Sequence, residues 1–251
     1  MPAEESTAAI VLRARDYSES DRIVTLLTRE FGKLSGIAKG AKASRRRFER
    51  KLEPFSHVNL FFKRRPQGQL VFITRAEPGD SMPPPIEEDL AKIALGCYML
   101  ELADALTSEE AEAIDAYHVL ARALETLGGG AVTLALRQSF ELNLLRVAGF
   151  GLNFARCRIC GVAGEVTGGT VYFIVARGGI VCARCRPQAP EGAVRLMAAN
   201  AAALAALAAA PIEHAAMLMH AGSDGALAVA RFLASILDRK LRSVAFLDSL
   251  L

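Results

Sequence analysis

Two Cys-x-x-Cys pairs, Cys157/Cys160 and Cys182/Cys185, constrain this chain more than any other feature in it. A Cys-x-x-Cys turn lets two thiolates converge on one ion, and two such turns complete the tetrahedron of a structural metal site. The 21 residues between the pairs put the spacing at the long edge of the usual pattern. Gly161 follows the first pair, while Tyr172-Phe173-Ile174-Val175, Gly178-Gly179 and Ile180-Val181 lead into the second, as a small hairpin would. The pattern predicts one Zn²⁺ per chain held by Cys157, Cys160, Cys182 and Cys185. Free core thiols, two disulfides or an iron–sulfur cluster are the alternatives. Four thiolates leave no open coordination position, so the predicted site is structural rather than catalytic.

The 251 residues suffice for one large domain or two ordinary ones. The amino terminus is acidic and lacks the apolar core of a signal peptide. The Ala-rich run from Ala201 to Ala210 is far shorter than the roughly 20 residues of a membrane span, and Pro211 ends it. The expectation is a soluble protein of a reducing cytoplasm, with the fifth cysteine, Cys97, a small buried apolar residue.

Residues 8–76 read as five short strands: Ala8–Ala14, Arg22–Thr28, Leu34–Ala38, Phe55–Lys63 and Leu70–Arg75. Asp16 to Ser20, Glu30-Phe31-Gly32 and Pro66-Gln67-Gly68 supply turns between them. Five short strands in this length predict a small closed or half-closed barrel, of which an SH3-like barrel is one form. Pro78-Gly79 and Pro83-Pro84-Pro85 then make a stiff linker. This places a boundary between a domain at 1–80 and a helical one at 81–251, with the cysteine module at 154–188 inserted between helices. Ile86, Leu90, Ile93, Cys97 and Leu100 share a helical stripe. Helices are also predicted over Glu109–Leu127, stopped by three glycines, over Val132–Val147, over Ala193–Ala209 and over Ala226–Leu241.

Charge is concentrated on the predicted barrel. Between Lys33 and Arg65 lie eleven basic residues: Lys33, Lys39, Lys42, Arg45, Arg46, Arg47, Arg50, Lys51, Lys63, Arg64 and Arg65. Against them stand only Glu49 and Glu53, so this segment carries +9 while the rest of the chain sums to −6. Such polarisation is the footprint of a phosphate-backbone binder. Phe48, Phe55, Phe61 and Phe62 are interleaved with the charges. Alternation along a strand sends one of Phe61 and Phe62 inward and the other outward, where a ring either stacks a base or packs against protein.

Signatures of catalysis are missing. The chain has no phosphate loop, no His-Glu-x-x-His and no Gly-x-Ser-x-Gly, and His57, His118, His214 and His220 are scattered. Asp16, Glu19 and Asp21 cluster in a predicted turn, where turn and capping roles compete with metal binding. The expectation is a binding protein, not an enzyme. A zinc-ribbon RNA- or ribosome-associated protein and a metal-dependent nuclease using those three acids are the alternatives.

Several motifs are similar to the bacterial RecO family of recombination mediators. They are Glu19-Ser20-Asp21-Arg22-Ile23-Val24, Gly32-Lys33-Leu34, Ala38-Lys39-Gly40-Ala41, Arg45-Arg46-Arg47-Phe48 and Leu52-Glu53-Pro54-Phe55. Ser139-Phe140-Glu141-Leu142, Gly149-Phe150-Gly151-Leu152 and both cysteine pairs continue the match in the family's order, from about residue 8 to 186. The resemblance implies an N-terminal OB-fold barrel and a C-terminal α-helical domain with an inserted four-cysteine zinc module. It implies binding of single- and double-stranded DNA, annealing of complementary strands, and work with RecR to load RecA onto strands coated by single-strand-binding protein. The acidic, apolar C-terminal tail of that coating protein is a further implied partner of the helical domain, with Arg137 or Arg146 as candidate receptors. Neither membrane nor small-molecule substrate is implied, and the location implied is the cytoplasm, at the nucleoid.

Overall fold

Short apolar and β-branched runs organise the first third of the chain into five strands: β1 (Glu5–Asp16), β2 (Arg22–Thr28), β3 (Gly32–Ala38), β4 (His57–Lys63) and β5 (Val71–Pro78). In this computed structural model, which describes residues 3–44, 47–48, 50–65, 70–79, 86, 89–109, 113–163, 169–188 and 192–250, they close into a barrel of order β1-β2-β3-β5-β4. All neighbours are antiparallel except β3 and β5, which pair in parallel at Gly36–Val71 and Ile37–Phe72. This is the five-stranded OB-type barrel. The strands fall within a few residues of their predicted bounds. Two predicted features, the Pro66-Gln67-Gly68 turn and the Pro83-Pro84-Pro85 linker, lie outside the described residues.

The inward rows of the strands form one core that includes Val11, Val24, Leu26, Leu34, Leu60, Phe62 and Ile73. Phe62 is fully buried and meets the edge of Phe31 at 5.5 Å. Phe61 points outward, and a register shift between the two rings sets it opposite Arg75. Phe48 and Leu52, from the connection between β3 and β4, also bury in the barrel core, so Phe48 is not a solvent-facing ring.

The chain packs as two units, 1–130 and 131–251. The first joins α1 (Leu90–Leu106) and α2 (Ile114–Gly129) to the barrel. Strands give way to helices near the linker-based boundary at 80/81. Asp89 caps α1, its carboxylate accepting the N–H groups of Ala91 and Lys92. The buried face of α1 includes Ala94, Leu95, Tyr98, Met99, Leu102 and Ala103; of the predicted stripe Ile86 and Leu100 are buried, whereas Leu90 is exposed. Cys97 is half-buried rather than core. The helix is apolar around most of its circumference, so several stripes fit its sequence equally well. Gly96 admits the Phe55 ring, since an added Cβ would stand 2.8 Å from it.

In the second unit, α3 (Leu134–Val147) is buried on nearly every side, while α4 (Ala198–Ala209), α5 (Gly222–Ile236) and α6 (Ser243–Asp248) follow later in the chain. The predicted hairpin forms as β6 (Thr170–Ile174) and β7 (Gly179–Cys182), turning through Gly178 in the left-handed region. A third strand, β8 (Val194–Met197), pairs with β6 where the sequence predicts helix. The predicted last helix ends at Ile236 because Leu237 is extended. Among the described residues no helix is long and apolar enough to cross a membrane.

Phe62→Ala is expected to cost about 3–5 kcal/mol in chemical denaturation, the usual effect of deleting a buried ring. Phe61→Ala, which trims an outward ring, should cost a fraction of that.

Candidate nucleic-acid interface and metal centre

The loop between Cys157 and Cys160 folds back on itself through Gly161, whose φ of +73° is left-handed and whose N–H donates to the Cys157 carbonyl. The second pair leaves the end of β7, so the hairpin delivers Cys182 and Cys185 to the same point. All four Sγ atoms lie within 4.8 Å of one another. Cys160 and Cys182 Sγ are 3.8 Å apart, and four sulfurs bonded at about 2.3 Å to one tetrahedral ion stand about 3.8 Å apart. All the cysteines are free thiols, so no disulfide competes. Ile174, Val181, Ile159, Val162 and Tyr172 surround the sulfurs. Three of the thiols are buried and Cys160 is exposed.

Electrostatics at the quartet favour a bound cation. Burial alone would raise the Cys157 thiol, but N–H groups of Cys160, Cys182 and Ile159 aimed at its sulfur bring it down to about 6. Burial followed by the neighbouring thiols pushes Cys185 up to about 12. One thiolate therefore forms readily and a full set resists forming until positive charge compensates it. Arg184 donates to Cys160 and supplies part of that charge.

On the barrel, the structure separates the eleven basic residues into groups. Lys39, Lys42, Arg47 and Arg50 are exposed on the β3–β4 connection, with Lys51 partly exposed beside them. A cleft of about 300 Å³ opens there, lined among others by Arg22, Lys42, Ser44, Arg50 and Glu53. Lys63 and Arg65 close β4, with Arg65 6.0 Å from the centre of the Phe72 ring. Arg64 pairs with Glu5 at 3.2 Å. Lys33 stands apart from the rest: its ammonium donates to the Asp104 carbonyl at 2.6 Å and lies 3.2 Å from the Asp104 carboxylate, with the side chain only 14% exposed. Arg45 and Arg46 lie outside the described residues.

Phe61, the outward ring, is covered by Arg75, whose guanidinium lies 3.5 Å from the ring centre and is pinned by Glu4 and Glu77. Asp16 and Asp21 act within the barrel. Asp16 binds Lys42 at 2.9 Å and Arg22 at 3.3 Å, and the bond from Lys42 holds its carboxyl below the usual range. Asp21 accepts the Gly40 N–H, which lowers its carboxyl in the same way. Glu19 is exposed. In the second unit, Arg137 is held between Glu141 and Asp248 at 3.0 and 2.9 Å, while Arg146 is exposed and donates to Asn143. Sequence reasoning missed the part played by Asp16 and Asp21 in holding the basic loop. Their only signal was an acidic turn placed 19 or more residues before the residues it grips.

Comparison with known proteins gives one consistent result. Residues 1–82 match the family described as Recombination protein O N terminal, and residues 87–245 match Recombination protein O C terminal. A DNA repair protein RecO from an Anaeromyxobacter species is 39% identical over 246 residues, covering 95% of this chain and 93% of that protein. A protein of the same name from Symbiobacterium thermophilum is 34% identical over 247 residues, covering 96% and 95%. A third, from Geobacter metallireducens, is 38% identical over 71% of each chain.

Iodoacetamide applied to the metal-free chain under native conditions is expected to label Cys160 before Cys157, Cys182 and Cys185, because it alone of the four is exposed. Peptide mass spectrometry reads the order. Equal rates at all four would mean that the quartet is not assembled in solution.

Proposed function

This chain belongs to the RecO family, and from that premise we propose that it is a DNA repair protein that binds single- and double-stranded DNA through its barrel and promotes pairing of complementary strands. The observation that carries the reading is the +9 segment, several of whose cations, Lys39, Lys42, Arg47 and Arg50, stand exposed on one loop. Phosphates neutralised there release counterions, and two strands held at reduced mutual repulsion can pair. Arg65, just beyond β4, and Phe72 on β5 are of the residue types that bind backbone and stack bases.

The activity proposed is binding without chemistry: the protein makes and breaks no bond. Work with RecR in loading RecA onto strands coated by single-strand-binding protein follows from the family, as does a contact with that protein's acidic tail. Of the two arginines considered for the tail, Arg146 is the exposed one. The reading also places the protein in the cytoplasm. For the metal centre we propose one structural Zn²⁺, supported by the all-thiolate donor set and by four sulfurs within 4.8 Å of one another. Bound zinc would offset the charge of the four thiolates and tie the β6–β7 hairpin to the Cys157 turn.

Replacing Arg45, Arg46 and Arg47 together by glutamate should weaken binding of a labelled single-stranded oligonucleotide. If all three contact phosphate, it should also reduce the slope of log affinity against log salt by about 2. Fluorescence anisotropy across a salt series measures both, and unchanged affinity would remove this face from the interface. An RNA oligonucleotide competing better than DNA would favour RNA as the ligand.

Elemental analysis of freshly purified protein should find one zinc per chain, lost in Cys157→Ser. Chelation should lower the melting midpoint, by roughly 2–4 °C for each 1 kcal/mol lost in a chain of this size.

A further inference from the structure

The connection that carries the exposed cations is gripped at its root by a different part of the chain, the turn between β1 and β2. Asp21 Oδ1 accepts the N–H of Gly40 at 2.9 Å. The Ser20 carbonyl accepts the N–H of Lys42 at 3.1 Å. Lys42 Nζ donates to the Ser18 carbonyl at 2.9 Å and reaches Asp16 at the same distance. The carboxylate of Asp21 is itself steadied by the Ser20 hydroxyl at 2.9 Å, and its N–H by the Ser18 hydroxyl at 3.1 Å.

Gly40 is where the chain turns away from β3. Its φ of +66° lies in the left-handed region, which residues with a Cβ seldom adopt. Two contacts hold the turn from opposite sides: Asp21 takes the Gly40 N–H, and Arg47 Nη2 donates to the Lys39 carbonyl at 3.0 Å. This turn thus directs the start of the segment bearing Lys39, Lys42 and Arg47.

We infer that Asp21 is a positioning residue for the nucleic-acid interface: its carboxylate fixes the Gly40 turn and thereby holds Lys39, Lys42 and Arg47 in the arrangement that meets phosphate. The inference rests on the DNA-binding reading above. It opposes what charge alone dictates, because an acid among cations repels phosphate and its removal should by itself tighten binding. Geometry and charge thus give opposite signs for the same side chain, and two substitutions separate them. Asp21→Asn removes the charge and keeps an oxygen acceptor for Gly40. Asp21→Ala removes both.

The test is anisotropy with a labelled single-stranded oligonucleotide and a matched duplex, on the full chain, across a salt series. Asp21→Asn is expected to bind as tightly as the unmodified chain or more so. Asp21→Ala is expected to bind about three- to tenfold more weakly, the effect of losing one ordering hydrogen bond, and to show a shallower salt slope because fewer phosphates are met. Gly40→Ala strains the same turn without changing any charge and should weaken binding as well, so the inference stays testable even if Asp21→Ala fails to fold. Circular dichroism melts identify such a failure. Binding by Asp21→Ala and Gly40→Ala equal to or tighter than that of the unmodified chain would overturn the positioning role. An unmodified chain that bound no DNA would overturn the DNA-binding reading instead.

Discussion

Closure of the barrel depends on a short parallel contact between β3 and β5, at Gly36–Val71 and Ile37–Phe72. The two strands approach so closely that a Cβ on Gly36 would stand 2.7 Å from Ile73 and 2.9 Å from Val71. Because β5 pairs with both β3 and β4, the chain cannot step from β3 to β4 through a tight turn; it must cross the barrel. The crossing segment, 39–56, holds seven of the eleven clustered cations. It is anchored by burying Phe48 and Leu52 in the barrel core and by the Asp21 bond at Gly40. Topology, not local preference, thus creates the long charged connection, and the core residues within it keep it attached.

The barrel was readable because five short apolar and β-branched runs lie between turn signals in about 70 residues. The cysteine pairs were readable because metal chemistry tolerates few spacings. What escaped has physical causes. The strand Val194–Met197 has only four residues and runs directly into an alanine-rich helix, so its alternation is masked by helix-forming neighbours. The face of α1 was misjudged because apolar residues surround it. Lys33 counts as one more cation in the sequence, yet α1 brings Asp104 to it from 71 residues away, a pairing no local pattern reveals.

The metal centre follows a separate logic. Four thiols gathered within 4.8 Å in a largely apolar setting gain little from each other and lose hydration. The opposed shifts of Cys157 and Cys185 express that conflict. A cation held by all four sulfurs would resolve it and would tie the hairpin to the Cys157 turn. All four cysteines belong to the second unit, so an ion held there would support the fold of that unit.

Net charge therefore overstates the cationic surface that a ligand meets. Lys33 is committed to Asp104 and Arg64 to Glu5, while Lys42 stays exposed but shares its charge with Asp16. The two more exposed pairs, Lys42–Asp16 and Arg64–Glu5, contribute little stability on their own. The Asp16–Lys42 pair and the Asp21–Gly40 bond nonetheless fix where the chain runs, and placing Lys39, Lys42 and Arg47 together costs backbone entropy that a free loop would lose on binding. Two acids inside a basic surface lower its net attraction for phosphate while reducing that entropic loss. The acidic turn and the basic connection thus work as one device, in which part of the charge is given up to order the remainder.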